Sequence, residues 1–368
     1  MKRKFCCVFY LLLILFLMVS SCKDSGTKPP DYPVEWTFLG LEGMLIDKLV
    51  LSKGKLYACA GREGLFRLNN PSGNDTQWEY LGLADARIGD HRGVSDVVTL
   101  NDTLLVSHYA SSDHYNKAGI SRSRDNGKTW TAIDSGFIKN TQYPTSAFLL
   151  TLDQSPFNSD IVIAGCVSDC SDIYLSKDFG LSWETKDILP LKANVRFDIA
   201  RFHPTNENEI WAGMNIEYDT VRPFLYRSVD FGENWQTIIE RPYDPDAPSE
   251  YLEDIAFSSE ENSTIYVAIQ QTIIKSIDFG TTWTTSFDTL DSGIFWNITN
   301  HPNDRNQLIA CSTDSLYQTV DAGKTWTALV AKPENTEMMK DLVVDWSNKM
   351  LYVNTYNPSN GIYRLHYK

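Results

Sequence analysis

Six acidic or amide side chains recur at one position of a repeated apolar segment, where they could do two kinds of chemistry. The segments read LIDKLVL, VSDVVTL, FDIARF, EDIAF, WNITNH and KDLVVD, and a seventh, SAFLLTL, has Ala147 at this position. Converging carboxylates can raise one another's pKa or bind a cation through oxygen ligands. Alternatively, each accepts a hydrogen bond from the backbone of a neighbouring repeat, and the regularity of the series favours this structural interpretation. The six residues are Asp47, Asp96, Asp198, Asp254, Asn297 and Asp341.

Aromatic and charged residues collect in four irregular insertions, at 85–93, 107–119, 215–224 and 240–251. Such side chains suit a sugar- or peptide-binding surface, because rings stack on apolar faces and charged groups fix orientation. Long solvated loops contain the same residue types, so both interpretations stay open. No metal site and no cofactor are predicted. The candidate binding residues are His91, Arg92, Tyr109, Tyr115, Tyr218, Arg222 and, on a nearby strand, Trp296.

An eight-residue turn, S/T-x-D-x-G-x-[TSN]-W, occurs five times and must position these residues. Its Asp can accept hydrogen bonds from the amides of the turn, and its Gly can adopt a positive φ without a Cβ clash. The Ser or Thr can bond across the turn, and the Trp can anchor the next strand in the core. The Asp, Gly and Trp positions are Asp125, Gly127, Trp130, Asp178, Gly180, Trp183, Asp230, Gly232, Trp235, Asp278, Gly280, Trp283, Asp321, Gly323 and Trp326.

The spacing of seven tryptophans gives the number of repeats. Trp36, Trp78 and the five Trp residues of the turns are separated by 42, 52, 53, 52, 48 and 43 residues. This is the length of a four-stranded propeller blade with variable loops. The chain ends on a strand-like segment, 361–368, that lacks a following outer strand, whereas Trp36 opens an outer strand that lacks its partner. The two termini therefore complete one blade.

The turn resembles the repeat of the Asp-box, or bacterial neuraminidase repeat, family of β-propellers. That resemblance implies an all-β fold, a seven-bladed β-propeller of four-stranded antiparallel blades over 36–368. The N-terminal outer strand would close the ring by pairing with the C-terminal strand. The innermost strands surround the axis, so the six Asp and Asn residues would form a ring at one mouth of the central channel. The turns would lie on the opposite rim, away from any ligand.

Relatives of this kind include sialidases, xyloglucanases, sortilin-type receptors and photosystem assembly factors. The arginine motif of the sialidases, F/Y-R-I/L-P, is absent, since Val195-Arg196-Phe197 and Val221-Arg222-Pro223 do not match it. The xyloglucanases place catalytic Asp residues between two propellers, and this chain has one. We therefore predict a binding or scaffold propeller that recognises a glycan, a peptide or a partner protein. A xyloglucanase-like hydrolase with a carboxylate pair on the loop face is the alternative, and its catalytic residues are unknown.

The N-terminus carries a predicted export signal. Lys2, Arg3 and Lys4 precede an apolar stretch and then Val19-Ser20-Ser21-Cys22, which resembles a bacterial lipobox. We expect a signal peptide at 1–21, lipidation of Cys22, a polar tether at 22–35, and a place at the outer membrane or cell surface. A generic secretory signal is the alternative.

Charge and cysteine content limit the partners. The formal net charge of −14 becomes −17 without the three basic leader residues, so nucleic acid is excluded as a partner and a membrane is expected only through the lipid anchor. Cys59 and Cys311 are predicted to be buried and unpaired. Cys166 and Cys170 bracket a turn, and the sequence leaves open whether they form a disulfide.

Overall fold

The computed structural model describes residues 35–84, 93–108, 119–133, 148–168, 172–188, 195–217, 221–240, 250–288, 293–356 and 361–367. All regular elements in these ranges are β-strands, 28 in number. None of the described residues belongs to a helix long and apolar enough to cross a membrane. The predicted signal peptide, Cys22 and nearly all of the tether lie outside the described residues.

Seven blades of four antiparallel strands follow one another along the chain, each ordered from its innermost to its outermost strand. The first three blades are β2 (Lys48–Ser52), β3 (Lys55–Cys59), β4 (Leu65–Leu68) and β5 (Glu79–Tyr80); β6 (Val94–Leu100), β7 (Thr103–His108), β8 (Ile120–Ser123) and β9 (Thr131–Ile133); and β10 (Phe148–Gln154), β11 (Val162–Ser168), β12 (Asp172–Ser176) and β13 (Glu184–Asp187).

The next three blades repeat the pattern, and the fourth joins the third. Main-chain pairing between β11 and β14 links the two into one eight-stranded sheet, which the repeat did not predict. Blades four to six are β14 (Val195–Phe202), β15 (Ile210–Glu217), β16 (Val221–Ser228) and β17 (Gln236–Glu240); β18 (Leu252–Phe257), β19 (Ile265–Ile269), β20 (Thr272–Ser276) and β21 (Thr284–Asp288); and β22 (Phe295–His301), β23 (Asp304–Ser312), β24 (Ser315–Thr319) and β25 (Thr327–Ala331).

The seventh blade joins the two ends of the described chain. It consists of β26 (Met338–Asp345), β27 (Met350–Tyr356), β28 (Gly361–His366) and, as its outermost strand, β1 (Thr37–Gly40). Thr37 pairs with Arg364 and Phe38 with Tyr363 in antiparallel register. The predicted fold class and the closure of the ring are therefore confirmed, and pairing leaves no open edge between first and last blade.

The apolar core is divided among the interfaces between blades. Each of seven buried clusters contains side chains from two consecutive blades; one, for example, joins Ile199 and Leu225 of the fourth blade to Leu252 and Val267 of the fifth. Strands alternate their side chains between two faces, so each sheet contributes one face to each neighbouring cluster. The ring is consequently stabilised blade against blade, as in other repeat proteins.

The five repeated turns have nearly the same hydrogen-bond geometry. In the last, Asp321 accepts hydrogen bonds from the backbone N–H of Thr325 at 2.9 Å and from its hydroxyl at 2.6 Å, while Thr319 Oγ1 accepts from the N–H of Gly323 at 2.9 Å. The five turn glycines have φ between +79° and +93°. A Cβ at Gly180 would also lie 2.4 Å from Leu105 Cδ1 of the preceding blade, so close packing adds to the need for glycine.

Some of the seven repeated tryptophans also link neighbouring blades through a hydrogen bond of the indole N–H. Trp130 Nε1 donates to the carbonyl of Leu81 at 2.7 Å, and Trp78 Nε1 donates to that of Leu39 at 2.9 Å, in each case in the outer part of the preceding blade. Trp183 and Trp326 are buried, and the other three turn tryptophans are half-buried. The indole N–H thus adds a polar link to the apolar interface.

We predict that Asp321→Ala lowers the free energy of unfolding by about 1–2 kcal/mol, because the turn amide and hydroxyl lose their acceptor. Hydrogen bonds to Thr325 and Thr319, although partly opposed by desolvation, lower the pKa of Asp321 to about 2. Since the folded pKa is depressed, this stabilisation is present above about pH 4 and is lost as the pH falls towards 2. Urea denaturation of Asp321→Ala and of the control Asp321→Asn, which keeps an acceptor, measures the effect. Equal stability of all three chains would contradict a structural role.

Candidate functional site

One cavity opens where the innermost strands begin, at the mouth of the central channel. Its volume is about 400 Å³, and all six Asp and Asn residues of the predicted ring line it. The repeated turns connect the third and fourth strands at the other end of each blade, so the cavity and the turns occupy opposite faces. The structure thus brings together Asp47, Asp96, Asp198, Asp254, Asn297 and Asp341.

Three ring carboxylates hold the innermost strand of the following blade. Asp96 accepts a hydrogen bond from the backbone N–H of Leu152 at 3.0 Å, and Asp254 accepts one from Ile298 at 3.1 Å. Asp341 of the last blade accepts from the N–H of Leu49 in the first at 2.7 Å. These contacts support the structural interpretation of the ring, since each carboxylate fixes the register of its neighbour.

Other side chains perform this role where the repeat varies. In the fourth blade Asn215 accepts from the N–H of Leu252 at 2.9 Å and donates to Asp198 at 3.1 Å. In the third blade, whose Ala147 lies outside the described residues, Asp153 accepts from the N–H of Phe202 at 2.7 Å. Burial raises the pKa of Asp153 to about 6, against the lowering effect of nearby Arg201. Neither Asn215 nor Asp153 was predicted, because each occupies a different position from the ring residues.

Three basic residues stand among the carboxylates of the cavity. Lys48, Arg201 and Lys340 all line it. Burial opposes ionisation of Lys48, but the carboxylates of Asp341, Asp96 and Asp254 raise its pKa overall. Sequence reasoning missed these residues, since none recurs from blade to blade. The protein itself thus supplies positive charge to the ring.

Two ion pairs at the mouth have nitrogen–oxygen distances close to 4 Å. Arg201 lies 3.9 Å from Asp254, and its guanidinium donates to Thr151 Oγ1 at 3.2 Å. Lys340 Nζ lies 3.8 Å from Asp47. Burial raises the pKa of Asp254, with Arg201 acting in the opposite direction. A polar ligand can contact charges of both signs at this mouth.

Aromatic and amide side chains complete the wall on the side of blades five and six. Trp296 is half-buried, and its indole N–H donates to Thr313 Oγ1 at 3.3 Å. Tyr251, Glu253 and Gln270 line the same wall. The cavity therefore offers an aromatic surface beside groups of both charges, a combination suited to binding a polar chain with some apolar surface.

The structure places only part of the predicted binding set. Trp296 lines the cavity, and Arg222 lies on β16, where it pairs with Ile216 of β15. His91, Arg92, Tyr109, Tyr115 and Tyr218 lie outside the described residues. Within the described ranges, no group of three or more His, Cys, Asp or Glu side chains is arranged to hold a metal ion.

The cysteines among the described residues of the propeller are either free or disulfide-bonded. Cys59 and Cys311 are free and wholly buried, as predicted, and burial raises the pKa of both thiols. Cys166 is disulfide-bonded, while Cys170 lies outside the described residues. The two free thiols are thus shielded from solvent by the packing between blades.

Comparison with known proteins relates the chain to several propellers. The model of the Sortilin-Vps10 family, described as "Sortilin, neurotensin receptor 3", matches residues 118–268, which is less than half of the chain. No curated protein sequence matches significantly. The matched residues extend from just before β8 to β19.

Solved structures match over nearly the whole chain. "YCF48 bound to D1 peptide" has a TM-score of 0.62 and 15% identity and covers 93% of this chain and 98% of the other. YCF48 from Cyanidioschyzon merolae has a TM-score of 0.58 and 14% identity, covering 90% and 98%. The GH74 xyloglucanase from Xanthomonas campestris has a TM-score of 0.65 and 17% identity, covering 91% and 54%. This chain therefore spans about half the length of that xyloglucanase, and identities this low show the fold alone.

Proposed function

We propose that the chain is an extracytoplasmic lipoprotein, anchored through Cys22, whose propeller binds a peptide segment of a partner protein in the channel-mouth cavity. The observation that carries the proposal is the composition of that cavity. It combines the half-buried indole of Trp296 with Lys48, Arg201, Lys340 and several carboxylates in about 400 Å³. A peptide presents charged, amide and apolar groups together and can satisfy all three kinds of surface.

The hydrogen bonds of the ring favour binding over hydrolysis. A glycosidase needs two carboxyl groups that are available to protonate a leaving group and to attack or activate water. Asp96, Asp254 and Asp341 instead accept hydrogen bonds from backbone amides of adjoining blades. Proton transfer through these groups would weaken contacts that hold the ring together. A glycan remains the second ligand class to be tested.

The structural neighbours agree with this choice without establishing it. The solved structure of YCF48 contains a bound D1 peptide, and this chain covers almost that entire protein. The xyloglucanase has about twice the matched length, so this chain corresponds to roughly half of it. The proposal rests on the cavity, and the neighbours indicate that single propellers of this shape can accept a peptide.

Selection from a displayed random-peptide library tests the ligand class, with a glycan array and fluorogenic glycosides in parallel. We expect the chain to enrich peptides that share a motif, and Trp296→Ala to weaken their binding by about 30-fold, the effect of removing an aromatic hot spot. Trp296→Phe should retain part of the affinity. Ile277→Ala, on the opposite face, is the matched control and should bind as the wild type does.

Two results would contradict this function. Retention of glycans without any enriched peptide would assign the cavity to carbohydrate. Turnover of a glycoside that is abolished by a single Asp or Glu substitution at the cavity would favour the hydrolase alternative. Mass spectrometry of the N-terminal peptide separately tests the anchor, which requires acyl groups on Cys22 after cleavage at residue 21.

A further inference from the structure

The face opposite the cavity carries an exposed apolar arc at one repeated position. The second residue of the turn is Val229, Ile277 and Val320 in blades four, five and six, and these side chains are 59%, 65% and 67% exposed. Single exposed apolar residues are normal on proteins. Here three β-branched side chains occupy the same place in three consecutive blades, so they form one arc along the rim.

The same position is basic in the two preceding blades. Arg124 and Lys177 replace the apolar residue in blades two and three, and both are exposed. None of the five turns has an acidic residue at this position, although the whole chain has a net charge of −14. Each turn also has an ionised Asp at the next position, so the rim presents an apolar sector beside a sector of mixed charge. The apolar side chains match the acyl layer of a phospholipid surface, and Arg124 and Lys177 can reach its phosphates.

The described chain begins at this rim. Trp36 immediately precedes β1, and Thr37 pairs with Arg364 near the end of β28, so the outer strand starts at the end of the blade where the turns lie. Thirteen residues separate Cys22 from Trp36. Even fully extended they reach about 45 Å. A lipid on Cys22 would thus attach the propeller to the membrane from its turn-bearing rim and keep the start of β1 within that distance of the membrane.

We propose that Val229, Ile277 and Val320 rest on the phospholipid surface to which the chain is anchored, so that the channel-mouth cavity faces away from the membrane. The inference rests on the proposed lipidation of Cys22 and extends it, because the anchor alone would leave the propeller free to tumble. The apolar arc enters the headgroup region, and Arg124 and Lys177 approach lipid phosphates. The cavity is then open to partners in the surrounding solution.

A fluorescent probe at the two ends of one strand tests this orientation. Ile277 follows β20 and Gln271 precedes it; both are exposed, and they lie about 20 Å apart by strand rise. Ile277→Cys and Gln271→Cys are labelled with an environment-sensitive dye in the full lipoprotein, which is reconstituted in phosphatidylethanolamine–phosphatidylglycerol vesicles. Cys59 and Cys311 are wholly buried and do not compete for the label.

Nitroxide-labelled lipid should quench the dye at position 277 by about half, the expectation for a group seated in the interfacial layer, and leave position 271 nearly unchanged. Adding Val229→Glu and Val320→Glu to the Ile277→Cys chain should abolish the quenching while vesicle flotation persists. Equal quenching at both positions, or none at 277 in floating protein, would overturn the orientation. Cross-linking between copies through position 277 would assign the arc to self-association instead. Failure to float would refute the anchor, and this inference with it.

Discussion

Replacing Asp341 by alanine is expected to lower the free energy of unfolding by about 3 kcal/mol, because a buried backbone donor loses its acceptor at the junction that closes the ring. Asp341 accepts from the N–H of Leu49 at 2.7 Å and from that of Leu342 at 2.9 Å. It lies in the last blade and Leu49 in the first. The loss therefore falls on the interface between the seventh and first blades, which the segment from β1 to β2 also links covalently.

Urea denaturation monitored by tryptophan fluorescence measures this effect. Asp341→Asn is the matched control, since its amide oxygen can still accept one hydrogen bond, and it should cost about 1 kcal/mol. Asn354→Ala is a second probe of the same junction, because its side chain contacts the N–H of Asp341 and the carbonyl of Ile46, both at 2.7 Å. An alanine variant as stable as the wild type would show that the ring carboxylate does not hold the closure.

Replacing Lys48 by methionine is expected to cost about 2–3 kcal/mol at neutral pH. Methionine preserves much of the side-chain stem but removes one of the positive charges that face the carboxylates of Asp341, Asp96 and Asp254. Removing one partner from a buried group of charges typically costs 3–5 kcal/mol. The cavity is open to solvent at one end, which reduces the expected value. Lys324→Met, at an exposed lysine of the last repeated turn, is the control and should change the free energy of unfolding by less than about 0.5 kcal/mol.

The cost of Lys48→Met should depend on pH. Burial raises the folded pKa of Asp96 and of Asp254, and Lys48 opposes that rise in both. Without Lys48 the two pKa values rise further, so ionisation in the folded state costs more. A carboxyl group with a raised folded pKa loses stability as the pH rises through that pKa and regains it towards the unfolded value of about 4. The deficit should therefore shrink from pH 8 to pH 4.5, and a deficit independent of pH would exclude this electrostatic cause.

The sequence predicted the ring of the cavity but not its charge balance. Asp96, Asp254 and Asp341 could be predicted because they have the same structural role in their blades and therefore occur at the same position of the repeat. Lys48, Arg201 and Lys340 occur once each, so only the convergence of separate blades on the axis places them together. Asn215 and Asp153 were missed for a related reason, since each contributes an acceptor from a position outside the repeat.

The exposed apolar residues of the turn-bearing rim also could not be recognised from the repeat. Val229, Ile277 and Val320 occupy a position of the turn whose residue type varies from blade to blade, so the repeat assigns it no role. Their exposure and their common side of the ring become visible only when the blades are assembled. Their relation to the proposed anchor at Cys22 depends on β1 starting at that rim, which follows from its pairing with β28.

The sequence by itself determined the all-β class, seven four-stranded blades and the closure of the first and last strands. These features follow from local turn chemistry and regular spacing, both of which recur along the chain. Only the tertiary structure decided which non-repeated side chains join the ring at the axis and how the third and fourth blades join. Those properties depend on contacts between residues far apart in the chain. A periodic pattern predicts the residues that recur in every blade, but it does not predict residues that occur once and come together only when the blades are assembled.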